Sequence, residues 1–227
     1  MTTTKFRNIV QNKSLAVIKS NNKKKDFIHL DLSSENKELH PSIVSDSAKL
    51  ADYIDQKIKS KKAKFAYGGY LEQRNIYKRS AYFNSKNSTE ERNIHLGIDI
   101  WADAETPVYA VLDGQVHSFK NNTNQGDYGP TIILQHHIKD LSFYTLYGHL
   151  SLASIQDLKL GQSIKQAEII GTLGDASVNG DYPPHLHFQL IKNIGEYQGD
   201  YPGVCSLKEL DYYSKNCPNP TFFLGMI

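Results

Sequence analysis

The stretch "PPHLHFQL", residues 183–190, reads as a β-strand carrying chemistry. Its histidines, His185 and His187, stand two apart, and strand side chains alternate, so both rings leave on one face. One ring can bind a metal while its neighbour points into the same cavity without binding. Working outward, the surrounding sequence holds more segments of this kind. "VYAVLDGQVHSF" (108–119) alternates about Asp113-Gly114 and predicts a hairpin. "TIILQHHI" (131–138), "LSFYTLYGHL" (141–150) and "IIGTLGD" (169–175) are further β-branched and aromatic runs. "LKLGQSIKQAEIIGTLG" (158–174) adds a Gly turn and an apolar strand, like the edge of a small sandwich. From Asn93 onward, short strands recur at roughly 8–12-residue spacing, which indicates an antiparallel all-β domain.

The chain before Asn93 is different. Residues 1–45 are polar and rich in Asn, Lys and Ser, with "FIHLDLSS" (27–34) as a short strand candidate. From Ser45 to Lys64, Leu50, Ile54 and Ile58 recur four apart after a Ser/Asp start, which predicts an amphipathic helix. "AYGGY" (66–70) breaks it, and "YKRSAYFNSKNSTEER" (77–92) reads as a loop. The closing "YYSKNCPNPTFFLGMI" (212–227) predicts a short helix, a Pro stop and an apolar tail that packs back.

Composition narrows the function classes. The 227 residues are 39% hydrophobic and 11% aromatic, enough for a core, and the formal net charge is +2. That charge gives no electrostatic reason to expect nucleic acid or a membrane surface as partner. The runs "NNKKK" and "KIKSKKAK" read as solvated faces. Cys205 and Cys217 form neither a disulfide framework nor a paired zinc-finger spacing. They read as two unlinked thiols, although one bridge is permitted in an oxidising compartment. The longest apolar run near the start is "LAVI", and no segment approaches the ~20 apolar residues of a membrane span. As written, the chain shows no export signal and is expected to be soluble; its compartment is left open, cytoplasmic by sequence and periplasmic or secreted if a leader was removed.

"IHLGIDIW" (94–101) contributes His95 and Asp99, four apart with Gly97 between them, a spacing that suits a loop bending both toward one ion. "YTLYGHL" (144–150) contributes His149. An HxxxD or an HxH alone is commonplace. Together, in β context, they hold the parts of a mononuclear zinc hydrolase site. Such a site takes three protein ligands and one open position. Among the other histidines, His136 reads as a supporting or structural residue, His117 as exposed or packing, and His29 and His40 carry no motif. Tyr144, Tyr147 and Trp101 read as packing residues first. Arg74 and Arg79 read as surface ion pairs.

The strings from His95 to Leu190, with "HLGIDIWADAETPVYAVLDGQV", "TIILQHH", "YTLYGHLS", "LKLGQSIKQAEIIGTLGD" and "PPHLHFQL", resemble the lysostaphin and LytM type of zinc metallopeptidase, metallopeptidase family 23. The resemblance implies that His95, Asp99 and His187 bind one zinc ion per chain. It implies catalytic roles for His149 and His185, which would line the open position. The implied fold is mainly β: an antiparallel, sandwich-like catalytic core over 91–227, with an α/β N-terminal extension over 1–90 that is a candidate lid. The implied reaction is endopeptidase hydrolysis of peptidoglycan cross-links or stem peptides. Two other readings stand beside it: a non-catalytic zinc-binding or regulatory module on the same fold, and a sugar-transport phosphocarrier. Family members that act on cell walls usually add an export signal and often a wall-binding module, neither of which is expected here.

Overall fold

In the computed structural model, which describes residues 15–81, 83, 85 and 87–225, the strand His185–Ile191 is buried along its whole length. Numbered in chain order, the strands are β1 (Phe27–His29), β2 (Phe65–Gly68), β3 (Arg92–His95), β4 (Ile98–Trp101), β5 (Pro107–Tyr109) and β6 (Gly114–Asn122). They continue as β7 (Gly129–Ile138), β8 (Leu141–Gly148), β9 (Ser163–Ile164), β10 (Ile169–Thr172), β11 (His185–Ile191) and β12 (Val204–Ser206). Eight form one sheet in the order β1-β2-β4-β11-β8-β7-β6-β9, and β10-β5 and β12-β3 form two small ribbons. All pairs are antiparallel except β1 with β2. The fold is therefore mainly β, with a large antiparallel sheet.

Alternation along β11 divides the molecule. Leu186, Phe188 and Leu190 join Ile98, Ile100, Leu134, Phe143 and Tyr147 in the largest apolar cluster. The opposite face carries His185, His187 and Gln189, flanked by two further clusters. One gathers Leu32, Leu50, Ile54, Ile76, Tyr77 and Phe83 around Trp101 and Tyr182. The other gathers Leu96, Tyr128, Leu146, Tyr201, Cys205 and Cys217. A one-residue slip of β11 would exchange its apolar side chains for its histidines and Gln189, so burial of both faces pins the register.

The helix forms at Ser47–Ser60, inside the predicted span. Asp46 caps it by accepting from the amides of Ala48 and Lys49 at 3.0 and 3.1 Å, and Leu50 and Ile54 face the second cluster. Phe27–His29 is the short strand expected there, and no helix among the described residues is long and apolar enough to cross a membrane. The polar start up to residue 14, three residues of the 77–92 loop (82, 84 and 86) and residues 226–227 lie outside the described residues.

Three local expectations are corrected. Asp113-Gly114 closes no hairpin: β5 pairs with β10, whereas β6 pairs with β7 and β9. Ala110, Val111 and Leu112 between them are buried at 0–2% exposure, so the chain crosses the core instead of turning back. Gly114 serves close approach, since a Cβ there would lie 2.7 Å from the Gln135 carbonyl oxygen. "AYGGY" is no simple break, because Ala66–Gly68 continue β2 against β4. Gly171 is a strand residue of β10, where a Cβ would meet Ser154 Oγ at 2.4 Å. Near the end, the prolines divide two helices, Leu210–Asn216 and Pro220–Leu224, and Pro220 opens the second. Its Phe223 and Leu224 pack into the main core, and Cys205 and Cys217 are free and buried.

His136 has a structural place. Its Nδ1–H donates to the Asp113 carbonyl at 2.8 Å, and Nε2 meets the Thr145 hydroxyl at 2.7 Å. Burial pushes its pKa from 6.5 to about 4. The folded value lies below the unfolded one, so the stabilisation is complete above pH 6.5 and lost as pH falls toward 4. It amounts to roughly 3 kcal/mol at full loss. Urea midpoints measured between pH 7 and pH 4.5 should fall less steeply in His136→Gln than in the parent.

Candidate metal centre

Strand pairing brings the donors together. In the β11–β4 register, His187 lies directly opposite Asp99. His95 ends β3, which leaves the main sheet to pair with β12, and Leu96-Gly97 carries the chain into β4. The HxxxD string is thus two strands and a two-residue bend, not one loop. Gly97 permits this because a Cβ there would lie 2.7 Å from His187 Nε2. His149 stands one residue beyond β8 and adopts a left-handed backbone, φ 62°, an unusual conformation for a side chain of this kind. Its amide donates to the Tyr128 carbonyl at 2.9 Å, and its carbonyl accepts from Gly174 at 2.9 Å.

Each of the four imidazoles has one nitrogen committed. His95 Nδ1–H donates to the Gly69 carbonyl at 3.0 Å, and His187 Nε2–H to Gln189 Oε1 at 2.9 Å. His149 Nδ1–H donates to the Asn179 carbonyl at 2.8 Å, and His185 Nδ1–H to the Pro183 carbonyl at 2.7 Å. A neutral ring with one N–H so placed presents a bare lone pair at the other nitrogen. Burial favours the neutral form of His95, His149 and His185. It pushes His95 down to about 4, His149 well below the ordinary range, and His185 downward despite the Asp99 charge.

The consequence is a cluster of acceptors without protons. His95 Nε2 and His187 Nδ1 lie 2.8 Å apart, and Asp99 Oδ1 lies 3.2 and 3.3 Å from them. Asp99 Oδ1 is buried and has no hydrogen-bond partner among the described residues. Burial alone would raise this carboxyl, but His95, Arg74 and His185 outweigh it and hold the pKa well below the usual range. Three lone-pair atoms this close repel unless a cation stands among them. Two nitrogens and one carboxylate oxygen are a donor set suited to zinc. The three residues are the group of described residues whose donor atoms all lie within 4.8 Å of one another.

His185 Nε2 lies 3.8 Å from Asp99 Oδ1, and the His149 and His185 rings are 4.1 Å apart. All five side chains border a cavity of about 300 Å³ that Trp101, Tyr77, Tyr128 and Tyr182 also line. Trp101 stacks on His185 at 6.0 Å, so it packs and lines at once. Tyr182 lies 5.5 Å from His149 and 5.7 Å from His185, ring to ring, and burial raises its hydroxyl to about 12. Gly148 lets the chain pass close to the Tyr128 ring, since a Cβ there would lie 2.7 Å from Tyr128 Cδ1.

Several participants escaped the sequence reading. Arg74, read as a surface ion pair, is only 3% exposed and donates to Asp99 Oδ2 at 2.5 Å. Gln189 orients His187, and Asn179 and Gly69 orient His149 and His95. The HxHxQ alternation placed Gln189 on the ligand face and was the available signal for it. Tyr147 belongs to the opposite face, where its hydroxyl accepts from Val111 at 3.1 Å, and Tyr144 packs on His117. Arg79 does pair with Asp181, at 3.5 Å.

The fold is mainly β, and the donor set suits one zinc ion. Residues 93–198 match the family model described as Peptidase family M23. Over 106 residues the chain is 33% identical to the peptidoglycan DD-endopeptidase ShyC of Vibrio cholerae serotype O1, covering 46% of this chain and 22% of that protein. Over 133 residues it is 29% identical to the L-Ala--D-Glu endopeptidase of Bacillus subtilis, covering 55% and 38%. The chain thus spans well under half the length of these curated relatives. The catalytic domain of lysostaphin from Staphylococcus simulans superposes with a TM-score of 0.45 at 23% identity, over 77% of this chain and 97% of that one.

Proposed function

We propose that this chain is a zinc-dependent endopeptidase acting on peptidoglycan cross-links or stem peptides, with His95, Asp99 and His187 as metal ligands. The observation that carries the reading is the convergence of three unprotonated donor atoms beside two imidazoles that each keep a free nitrogen. A bound zinc ion polarises a peptide carbonyl and makes water nucleophilic near neutral pH. His149, neutral and anchored through Nδ1, offers Nε2 to accept a proton from the attacking water. His185, anchored likewise, offers Nε2 toward the developing oxyanion once protonated, or returns a proton to the departing amine. The neighbouring Tyr77, Tyr128 and Trp101 rings exclude bulk water from the cavity wall.

The names of the relatives support the substrate class. In this reading residues 91–227 are the catalytic domain and residues 1–90 an extension that also contributes β1 and β2 to the main sheet. A peptidoglycan substrate sets the place of work outside the cytoplasm. Complete convergence of the five side chains disfavours a non-catalytic zinc module.

The test is digestion of purified peptidoglycan with the zinc-loaded full chain, followed by mass spectrometry of the released muropeptides. New peptide amines at one bond type are expected. Intact peptides after prolonged incubation, at full zinc occupancy, would count against an enzyme and for a binding module.

A further inference from the structure

We infer that Arg74 is a positioning residue that dedicates the Asp99 carboxylate to the metal through a single oxygen. The inference rests on reading His95, Asp99 and His187 as the metal set. A carboxylate with both oxygens free can bind a cation through either or both. Here Arg74 Nη1 donates to Asp99 Oδ2 at 2.5 Å, so Oδ1 alone is turned to the two imidazoles.

The guanidinium is itself held. Nε donates to Glu72 Oε2 at 2.5 Å, and Glu72 Oε1 accepts from the Leu32 amide at 3.1 Å. Side-chain exposures of 11%, 4% and 3% for Glu72, Arg74 and Asp99 place the whole chain of contacts indoors. Burying such charges costs much of what their attraction returns, so net stability does not account for them. Orientation does. Room for the arrangement comes from Gly69, at φ 106°, where a Cβ would lie 2.1 Å from Arg74 Nη2 and 2.8 Å from His95 Nδ1. Gly69, Glu72 and Arg74 all precede the family match at 93–198, so the site draws its bracing from chain outside that match.

A charge role and a positioning role predict opposite signs. If Arg74 acted only as a positive charge, loosening its hold would leave nearby carboxylates less neutralised and tighten cation binding. If it positions Asp99, loosening it weakens binding and lets the second oxygen reach the metal.

The experiment compares the full chain with Arg74→Lys and Glu72→Gln. Lysine keeps the charge but, as a point donor, cannot bridge Glu72 and Asp99 as a planar fork does. Glu72→Gln keeps the guanidinium and weakens its brace. Zinc affinity is measured by competition with a chromogenic chelator, and coordination number by the visible bands of the cobalt(II)-loaded proteins. Both variants should lose on the order of 10–100-fold in zinc affinity. Their cobalt bands should weaken as a further oxygen ligand enters. Affinities within roughly threefold of the parent with an unchanged cobalt spectrum, or tighter binding in either variant, overturn the proposal. Should Arg74→Lys fail to fold by far-UV circular dichroism, the cobalt spectrum of Glu72→Gln decides, because losing the Glu72 charge lowers zinc affinity by itself, and an unchanged spectrum overturns the proposal. Failure of the parent itself to bind one zinc ion sinks the underlying metal reading instead, and the parent titration alone shows it.

Discussion

Asp99→Asn should reduce hydrolysis by on the order of 10³-fold or more while leaving the chain folded. The substitution preserves volume and shape, so the strand pairing of Asp99 with His187 and Gly68 survives. It removes the charge that, in the proposed metal site, would hold a cation between His95 Nε2 and His187 Nδ1, and the introduced amide can donate to those lone pairs instead. Thermal unfolding gives the clearer readout. Zinc at a thousandfold excess over its dissociation constant should stabilise the parent by about 4 kcal/mol. The variant should show no zinc-dependent rise in Tm. A parent-like rise in Asp99→Asn would remove the carboxylate from the ligand set.

His149→Asn should separate chemistry from metal binding. Asparagine tolerates the left-handed backbone at this position better than alanine, which lacks a short polar side chain to compensate, so the fold is retained. What disappears is the free imidazole nitrogen that burial keeps unprotonated at neutral pH. A positioned general base contributes about 10²–10⁴-fold, and that loss should fall on kcat with KM little changed. Zinc stoichiometry should stay at one per chain. Loss of zinc together with activity would show His149 to be a ligand and not a proton acceptor.

The histidines and Asp99 were legible because strand chemistry is local. Period-two spacing put His185 and His187 on one face, and β-branched flanks marked their strand. The helix at Ser47–Ser60 was legible through its cap and its four-residue apolar spacing. Arg74 was not. Its segment runs beside β3, with Gln73 bridging Ile94 and the Arg74 amide donating to the Asn93 carbonyl at 2.9 Å, a long-range contact that the polar run "EQRNIYKRS" gives no hint of. The same holds for Tyr128 and Tyr182, which the loops just before β7 and just before β11 deliver to the cavity. Asp113-Gly114 misled for the converse reason. Its composition suits a tight turn, yet three buried apolar residues before it draw the chain across the core.

His95, His149 and His185 are fastened to main-chain carbonyls, those of Gly69, Asn179 and Pro183. Carbonyl anchors are indifferent to which side chains the anchoring residues carry. The reactive rings therefore take their aim from the backbone scaffold, and the aromatic lining can be exchanged without disturbing that aim. Under the proposed function, such a division would let one unchanged chemical engine be refitted to different peptide sequences by altering the walls alone.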